Sequence, residues 1–178
     1  MTKLLVVSDS SSLIIGAKAG LLNVMCKEFK VEIPEKVFEE TVIEGKKLRK
    51  VDALKIEEAI NENRIVVGKT LPMKDKKAIK WLRELNLDEG EMQAIHLYIQ
   101  TKAKLLLADD RQAINAAKLF GINWATIPDI IVGFAERKKI SKGEALEALK
   151  VAQNEGRYKI DFIFNAFNRI EKIKGGKK

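Results

Sequence analysis

The chain has 178 residues, of which 46% are hydrophobic and 33% are charged, as in an ordinary globular protein with room for one substantial core. A single cysteine excludes an intramolecular disulfide, and no apolar run approaches the roughly 20 residues that span a bilayer. The net charge of +8 and the pI near 9.5 favour a polyanionic partner, although a Lys-rich solvated surface would also explain them. We therefore expect a cytoplasmic protein with no membrane partner.

Short apolar runs alternate with amphipathic segments, and this pattern predicts an α/β fold with a central parallel sheet of four to five short strands. The strands are expected at residues 3–8, 30–33, 64–67 and 104–108, with a short edge strand at 122–125. Helices are expected to begin at Ser10–Ser12, which offer capping hydroxyls, and at Pro34. Gly16 and Gly20 are expected to end the first helix. Further helices are expected at 21–28, 52–61, 74–85, 88–100, 111–120, 129–138, 141–153 and 160–173.

The domain organisation is expected to be simple, because the chain contains no internal repeat and no low-complexity linker. We assign residues 1–135 to the main domain and residues 136–178 to a helical, basic C-terminal extension packed on it. The extension carries twelve Lys and Arg against six Asp and Glu. It therefore contributes +6 of the net charge.

Acidic side chains follow the predicted strands and open one of the helices. Asp9 follows the first strand, Glu40 lies beyond the second, Asp109 and Asp110 follow the fourth, and Glu91 begins a helix. Because the carboxyl ends of parallel strands meet at one edge of a sheet, these acids could share a crevice. A set of carboxylates without His or Cys suits a hard divalent cation, Mg²⁺ or Mn²⁺.

Each of these acids also has a purely structural explanation. Asp9 and one member of the Asp109–Asp110 pair could cap the helices that follow them, and Asp88 with Glu91 forms a capping-box pattern. Glu40 could be an exposed helix residue. The joint placement favours a cation, because carboxylates crowded together repel one another unless a positive charge lies among them.

Four segments of the chain, taken in order, resemble motifs of the PIN-domain family. Val7–Ile14 is similar to the opening strand and helix of these domains, and Ile33–Thr41 to their I-P-x-x-V-x-x-E segment. Leu87–Ile95 resembles the G-E-x-x-A-I helix start of one subgroup, and Leu106–Arg111 resembles the motif of the fourth strand. The resemblance covers residues 3 to 130, and Arg137–Ile140 with the helix after it is similar to the tail of that subgroup.

The resemblance implies a three-layer PIN-like nuclease domain in residues 1–135 and an endoribonuclease that depends on Mg²⁺ or Mn²⁺. The residues that match the family's catalytic and metal-binding acids are Asp9, Glu40, Glu91 and Asp110. Asp109 is carried over as an additional metal ligand, and Glu91 stands where many PIN domains have Asp. Ser11 matches a family hydroxyl that orients the first Asp or a water, and it is equally well explained as a helix cap.

The same resemblance implies RNA and protein partners. The basic side chains expected to contact RNA are Arg111, Lys46, Lys47 and Lys77. Any one of them could instead belong to a solvated face. Many PIN proteins of this size are toxins held inactive by an antitoxin, and many are homodimers. An antitoxin partner and a homodimer are therefore further expectations for this chain.

Two other functions fit parts of the sequence. The chain could be a non-catalytic PIN-like module that binds RNA or a protein. A phosphoacceptor receiver domain also gathers acids at strand ends, but its acidic pair follows the first strand, whereas Asp109–Asp110 follow the fourth. His96 is the only histidine, which excludes nuclease chemistry that needs two histidines. Neither common glycine-rich phosphate-binding motif occurs.

Overall fold

A computed structural model describes residues 2–71, 80, 82 and 84–173 of the chain. Its strands are β1 (Leu4–Ser8), β2 (Phe29–Pro34), β3 (Ile65–Gly68), β4 (Leu105–Leu107) and β5 (Trp124–Ala125). In the first half of the chain the helices are α1 (Ser10–Lys18), α2 (Leu22–Glu28), α3 (Glu35–Phe38), which continues as a π-helix (Glu39–Glu44), α4 (Gly45–Lys47) and α5 (Val51–Asn61). In the second half they are α6 (Glu89–Thr101), α7 (Arg111–Leu119), α8 (Ile127–Glu136), α9 (Lys142–Glu155) and α10 (Ile160–Glu171). Most of the helix predicted at 74–85 lies outside the described residues.

The five strands form one parallel sheet in the order β3-β2-β1-β4-β5. The chain winds from β1 outward to β3 and then returns to the other side of β1 with β4 and β5. A receiver domain has the order 2-1-3-4-5 instead, so the sheet excludes that alternative. The predicted α/β architecture is confirmed.

Helices cover both faces of the sheet. Successive residues of a strand point to opposite faces, so each strand packs against the helices on both sides. Val6 and Leu107 belong to a hydrophobic cluster with α1, α2, α5, α8, α9 and α10, whereas Val7 and Leu106 belong to a second cluster with α6 and α7. Buried on both faces, these strands read as continuous apolar runs rather than alternating ones. The result is the three-layer arrangement that was predicted.

The C-terminal helices contribute to the larger of these two clusters. Ala145 and Leu149 of α9 and Ile163 and Ile170 of α10 are buried together with Phe134 of α8. They share the core that α1 and α2 line. The boundary between residues 135 and 136 stays a prediction.

Five of the described helices begin at a residue whose side chain caps them. Asp9, Asp88, Asp110, Thr126 and Ser141 each accept a hydrogen bond from a backbone N–H in the first turn that follows. The prediction that Gly16 ends the first helix is wrong. It lies within α1, where a Cβ would come within 3.0 Å of Met25 Sδ, so its role is close packing on α2. Gly20, with a φ of +73°, follows the helix as predicted.

Among residues 2–71, 80, 82 and 84–173, no helix has the length and apolar character needed to cross a membrane.

Gly45 permits the close approach of α4 and α5, because a Cβ at this buried position would stand 2.7 Å from Ala53 Cβ. We expect Gly45→Ala to lower the free energy of unfolding by about 1–3 kcal/mol through overpacking, measured by urea denaturation. Gly143→Ala in α9 is the matched control, since a Cβ there meets nothing within 4 Å. That substitution should be neutral or stabilising by up to about 1 kcal/mol, and equal effects of the two variants would contradict the packing explanation.

Candidate functional site

The candidate site lies at the carboxyl ends of β1 and β4, where the winding of the sheet reverses. Ser8 pairs with Leu107 in the parallel register, and the Asp9 N–H donates to the Leu107 carbonyl at 3.0 Å. Asp9, directly after β1, and Asp109, two residues after the end of β4, are therefore brought close together. Crevices at such reversal points are the usual ligand sites of open α/β sheets.

Asp9 is a buried carboxyl that is satisfied on one side only. Its Oδ1 accepts the Ser12 N–H at 2.8 Å and the Ser11 hydroxyl at 3.1 Å. Its Oδ2 is buried and has no hydrogen-bond partner. Burial raises the pKa of Asp9 to about 7, and the negative charge of Asp109 adds to the rise. Without a cation, this group is therefore partly protonated at neutral pH.

Asp109 has the same one-sided arrangement. Its Oδ1 accepts the Ile127 N–H at 3.0 Å and the hydroxyl of Tyr158, whereas its Oδ2 is buried without a partner. Burial raises the pKa of Asp109 above its ordinary range. Burial and the charge of Asp109 also raise the pKa of Tyr158, so the phenol remains a hydrogen-bond donor.

Glu91 is the third residue of α6 and forms a capping box with Asp88. The Glu91 N–H donates to Asp88 Oδ1 at 2.7 Å, and the Asp88 N–H donates to Glu91 Oε2 at 3.1 Å. The capping box that the sequence indicates for Asp88 and Glu91 is therefore present. Glu91 is only 8% exposed, and burial raises its pKa to about 8, with smaller contributions from Asp88, Asp110 and Asp9. A capping role alone does not require such burial.

Glu40 reaches the site from the π-helix between α3 and α4. Its Oε2 accepts the Ser10 hydroxyl, and a Cβ at Gly90 would come within 2.6 Å of that oxygen. The Glu40 carboxylate therefore lies against the first turn of α6, where the absence of a side chain at Gly90 leaves room for it. π-helical turns occur often at functional sites.

One cavity of about 470 Å³ contains all the predicted acids. Its side walls come from α1, the π-helix, the starts of α6 and α7, and the turn after α9. The residues that line it are Asp9, Ser10, Ser11, Ile14, Ile15, Glu40, Asp88, Glu91, Asp109, Asp110, Glu155, Gly156 and Arg157. Asp110 also caps α7 by accepting the Gln112 N–H at 2.7 Å. The predicted convergence of Asp9, Glu40, Glu91, Asp109, Asp110 and Ser11 on one crevice agrees with this geometry.

The donor chemistry of the cavity fits a hard divalent cation. The atoms that could ligate a metal are carboxylate and hydroxyl oxygens. The Oδ2 atoms of Asp9 and Asp109 are buried, and neither has the hydrogen-bond donor or positive charge that a buried carboxylate oxygen normally requires. Within the described part of the chain, however, no three His, Cys, Asp or Glu side chains are spaced to hold one ion together. The acids share a cavity, and they are not gathered into a finished coordination sphere.

Several residues of the cavity were missed by sequence reasoning. Glu155, the last residue of α9, and Arg157, in the turn between α9 and α10, line the cavity. Tyr158, in the same turn, bonds to Asp109, from which 49 residues of sequence separate it. Arg157 is the sole basic side chain among the described residues that line the cavity. No spacing signal links this turn to the sheet edge, because its position follows from the packing of α9 and α10. Ser10 was recognised only as a possible cap.

The basic residues predicted to contact RNA do not line this cavity. Arg111 lies in a neighbouring cavity with Asn86 and Asn115. Lys46 forms an ion pair with Glu57 at 2.6 Å, and Lys47 with Glu44 at 2.7 Å. Lys77 lies outside the described residues.

The single histidine and the single cysteine lie outside the acidic cavity. His96 is half-buried on α6, its Nε2 has no partner, and burial lowers its pKa. Cys26 is buried in the larger hydrophobic cluster, as expected for a small apolar residue. Neither belongs to the cavity lining.

A family model described as a PIN domain matches residues 5–171, a span that includes the C-terminal helices through the end of α10. A search of curated proteins found no match. The family predicted from the four motifs is thereby confirmed.

The raised pKa of Asp9 predicts a pH-dependent stability in metal-free buffer. The folded-state pKa of about 7 lies above the ordinary value of 3.8, so the stabilising contribution is full below about pH 4 and is lost as the pH rises through 7. The free energy of unfolding of the wild type, minus that of Asp9→Asn, should fall by a few kcal/mol over this window. Urea denaturation in EDTA at several pH values measures the difference.

The matched control is Glu89→Gln, which neutralises an exposed carboxylate on α6 outside the cavity lining. The free energy of unfolding of Glu89→Gln, plotted against pH, should run parallel to that of the wild type. A wild-type curve parallel to that of Asp9→Asn would show that burial does not perturb Asp9.

Proposed function

This chain belongs to the PIN-domain family, and on that premise we propose that it is a divalent-metal-dependent endoribonuclease that hydrolyses RNA phosphodiester bonds. PIN domains are in general nucleases that use divalent metals. The observation that carries the proposal is the pair of buried carboxylate oxygens, on Asp9 and Asp109, that have no partner in an acidic cavity at the reversal point of the sheet.

The acids of the cavity would hold the metal. We assign Asp9, Glu40, Glu91 and Asp110 as catalytic metal ligands and Asp109 as an additional ligand, with Mg²⁺ or Mn²⁺ as the cation. When bound, such a cation supplies a lowered pKa for a water and positive charge opposite the scissile phosphate. In its absence, burial keeps protons on Asp9 and Glu91 near neutral pH, so cation binding should release protons.

The reaction that this site would support is hydrolysis at phosphorus. A water oxygen forms the new P–O bond, the bond from phosphorus to the 3′ oxygen breaks, and the water contributes one proton to the leaving oxygen and loses the other. The products are a 5′-phosphate and a 3′-hydroxyl. The Ser11 hydroxyl donates to Asp9 Oδ1. This hydrogen bond would hold the Asp9 carboxylate so that Oδ2 stays available to the cation.

Contacts to RNA would involve two arginines near the acids. Arg157 lines the cavity itself and is placed to offset the charge of a phosphate entering among the carboxylates. Arg111 lies in the neighbouring cavity with Asn86 and Asn115, whose side-chain amides would hydrogen-bond to the edges of RNA bases. Lys46, Lys47 and Lys77 remain proposed RNA contacts, and the first two form ion pairs with Glu57 and Glu44.

A more specific biological role rests on the family resemblance alone. A toxin function, an antitoxin partner, a homodimer and a cytoplasmic location remain predictions. The alternative function is a non-catalytic PIN-like module that binds RNA or a protein, and the experiment below separates it from the nuclease.

We expect the wild type to cleave an end-labelled single-stranded RNA in Mn²⁺ or Mg²⁺ and to be inactive in EDTA. Asp9→Asn and Glu91→Gln should each lower the cleavage rate on the order of 100-fold or more, because each removes charge that the cation needs. Glu89→Gln neutralises an exposed carboxylate on the same helix as Glu91 and should keep the wild-type rate. Circular dichroism of all three variants checks that they fold.

The proposal fails if folded wild-type protein binds the RNA in either metal without cutting it. That result would favour the non-catalytic module. Cleavage that survives Asp9→Asn unchanged would mean that another site, or a contaminant, performs it.

A further inference from the structure

The turn between α9 and α10 reaches into the acidic cavity and bonds to one of its carboxylates. Tyr158 is a partly buried phenol whose hydroxyl donates to Asp109 Oδ1, across 49 residues of sequence. Its ring stacks on Phe162, with centroids 6.1 Å apart. A Cβ at Gly156 would overlap the same ring. The ring is therefore held from two sides, and its hydroxyl has a fixed direction.

The contacts of Asp109 are divided unequally between its two oxygens. Oδ1 accepts two donors from separate elements, the Tyr158 hydroxyl and the N–H of Ile127 at 3.0 Å. Oδ2 is buried and accepts none. A carboxylate that served only to join α8 and the turn would gain by satisfying both oxygens, since a buried acceptor without a partner is unfavourable.

We propose that Tyr158 is a positioning residue of the site, which fixes Asp109 through Oδ1 so that Oδ2 stays available to the divalent cation. This inference rests on the proposed function. It assigns the C-terminal helices a part in the chemistry, because the turn that carries Tyr158 also brings Arg157 to the cavity. Residues that hold metal ligands by hydrogen bonds typically change metal affinity or activity 10–100-fold when mutated.

The test uses full-length Tyr158→Phe, which removes one hydroxyl and keeps the ring. Calorimetric titration with Mn²⁺ should show about 10–100-fold weaker binding than the wild type. The kcat for RNA cleavage should fall by a similar factor, while KM for RNA changes little, because the hydroxyl contacts Asp109 and not the substrate. Tyr98→Phe on α6, which lies outside the cavity lining, is the matched control and should leave both quantities unchanged.

A second test compares a variant that displaces the ring with one that removes it. Gly156 has a φ of −98° and a ψ of 162°, which alanine adopts freely, so the main effect of Gly156→Ala is the overlap of its Cβ with the Tyr158 ring, whose atoms are the nearest to it. It should weaken Mn²⁺ binding in the wild type and have no further effect in a Tyr158→Ala background. That non-additivity is the signature of a shared mechanism.

Three outcomes are decisive. Wild-type Mn²⁺ affinity and kcat in Tyr158→Phe, with the wild type active, would overturn the inference and leave the proposed function intact. A wild type that neither binds Mn²⁺ nor cleaves RNA would overturn the proposed function, and the inference with it. Loss of folding in Tyr158→Phe, together with additive effects of Gly156→Ala and Tyr158→Ala, would assign the hydroxyl to stability and not to metal positioning.

Discussion

The structure depends on one electrostatic constraint, the burial of like-charged carboxyls at the edge of a parallel sheet. The register of β1 and β4 forces Asp9 and Asp109 together, and α6 adds Glu91 to the same cavity. Burial, with a smaller contribution from neighbouring carboxylates, raises the pKa values of these groups, so their ionised forms destabilise the metal-free fold. A chain that keeps such an arrangement gives up stability for a site, as enzymes commonly do.

The fold could be predicted from the sequence because its signals are local and agree with one another. The apolar runs at Leu4–Val7 and Leu105–Ala108 have the length of buried strands, and the caps at Asp88 and Ser141 mark helix starts. Gly16 misled because helix-breaking propensity is weak beside tertiary packing, and here Met25 occupies the space that a side chain would need. The π-helix that carries Glu40 has no local signature in the sequence.

The site could be predicted only as far as strand topology determines it. Acids that follow adjacent parallel strands must converge, which placed Asp9, Asp109 and Asp110 correctly. The division of labour within the pair could not be foreseen: Asp110 caps α7, whereas Asp109 is the more deeply enclosed carboxyl. The positions of Tyr158 and Arg157 could not be predicted from the sequence, because they depend on how two C-terminal helices pack on α8.

The most direct measurement is the anomalous difference density of crystals soaked in Mn²⁺, with data collected at the manganese absorption edge. We expect a strong peak inside the acidic cavity, within coordinating distance of Oδ2 of both Asp9 and Asp109. Well-ordered crystals without a peak in that cavity, at a Mn²⁺ concentration that supports cleavage in solution, would contradict it. So would a manganese ion bound elsewhere while both oxygens remain unliganded.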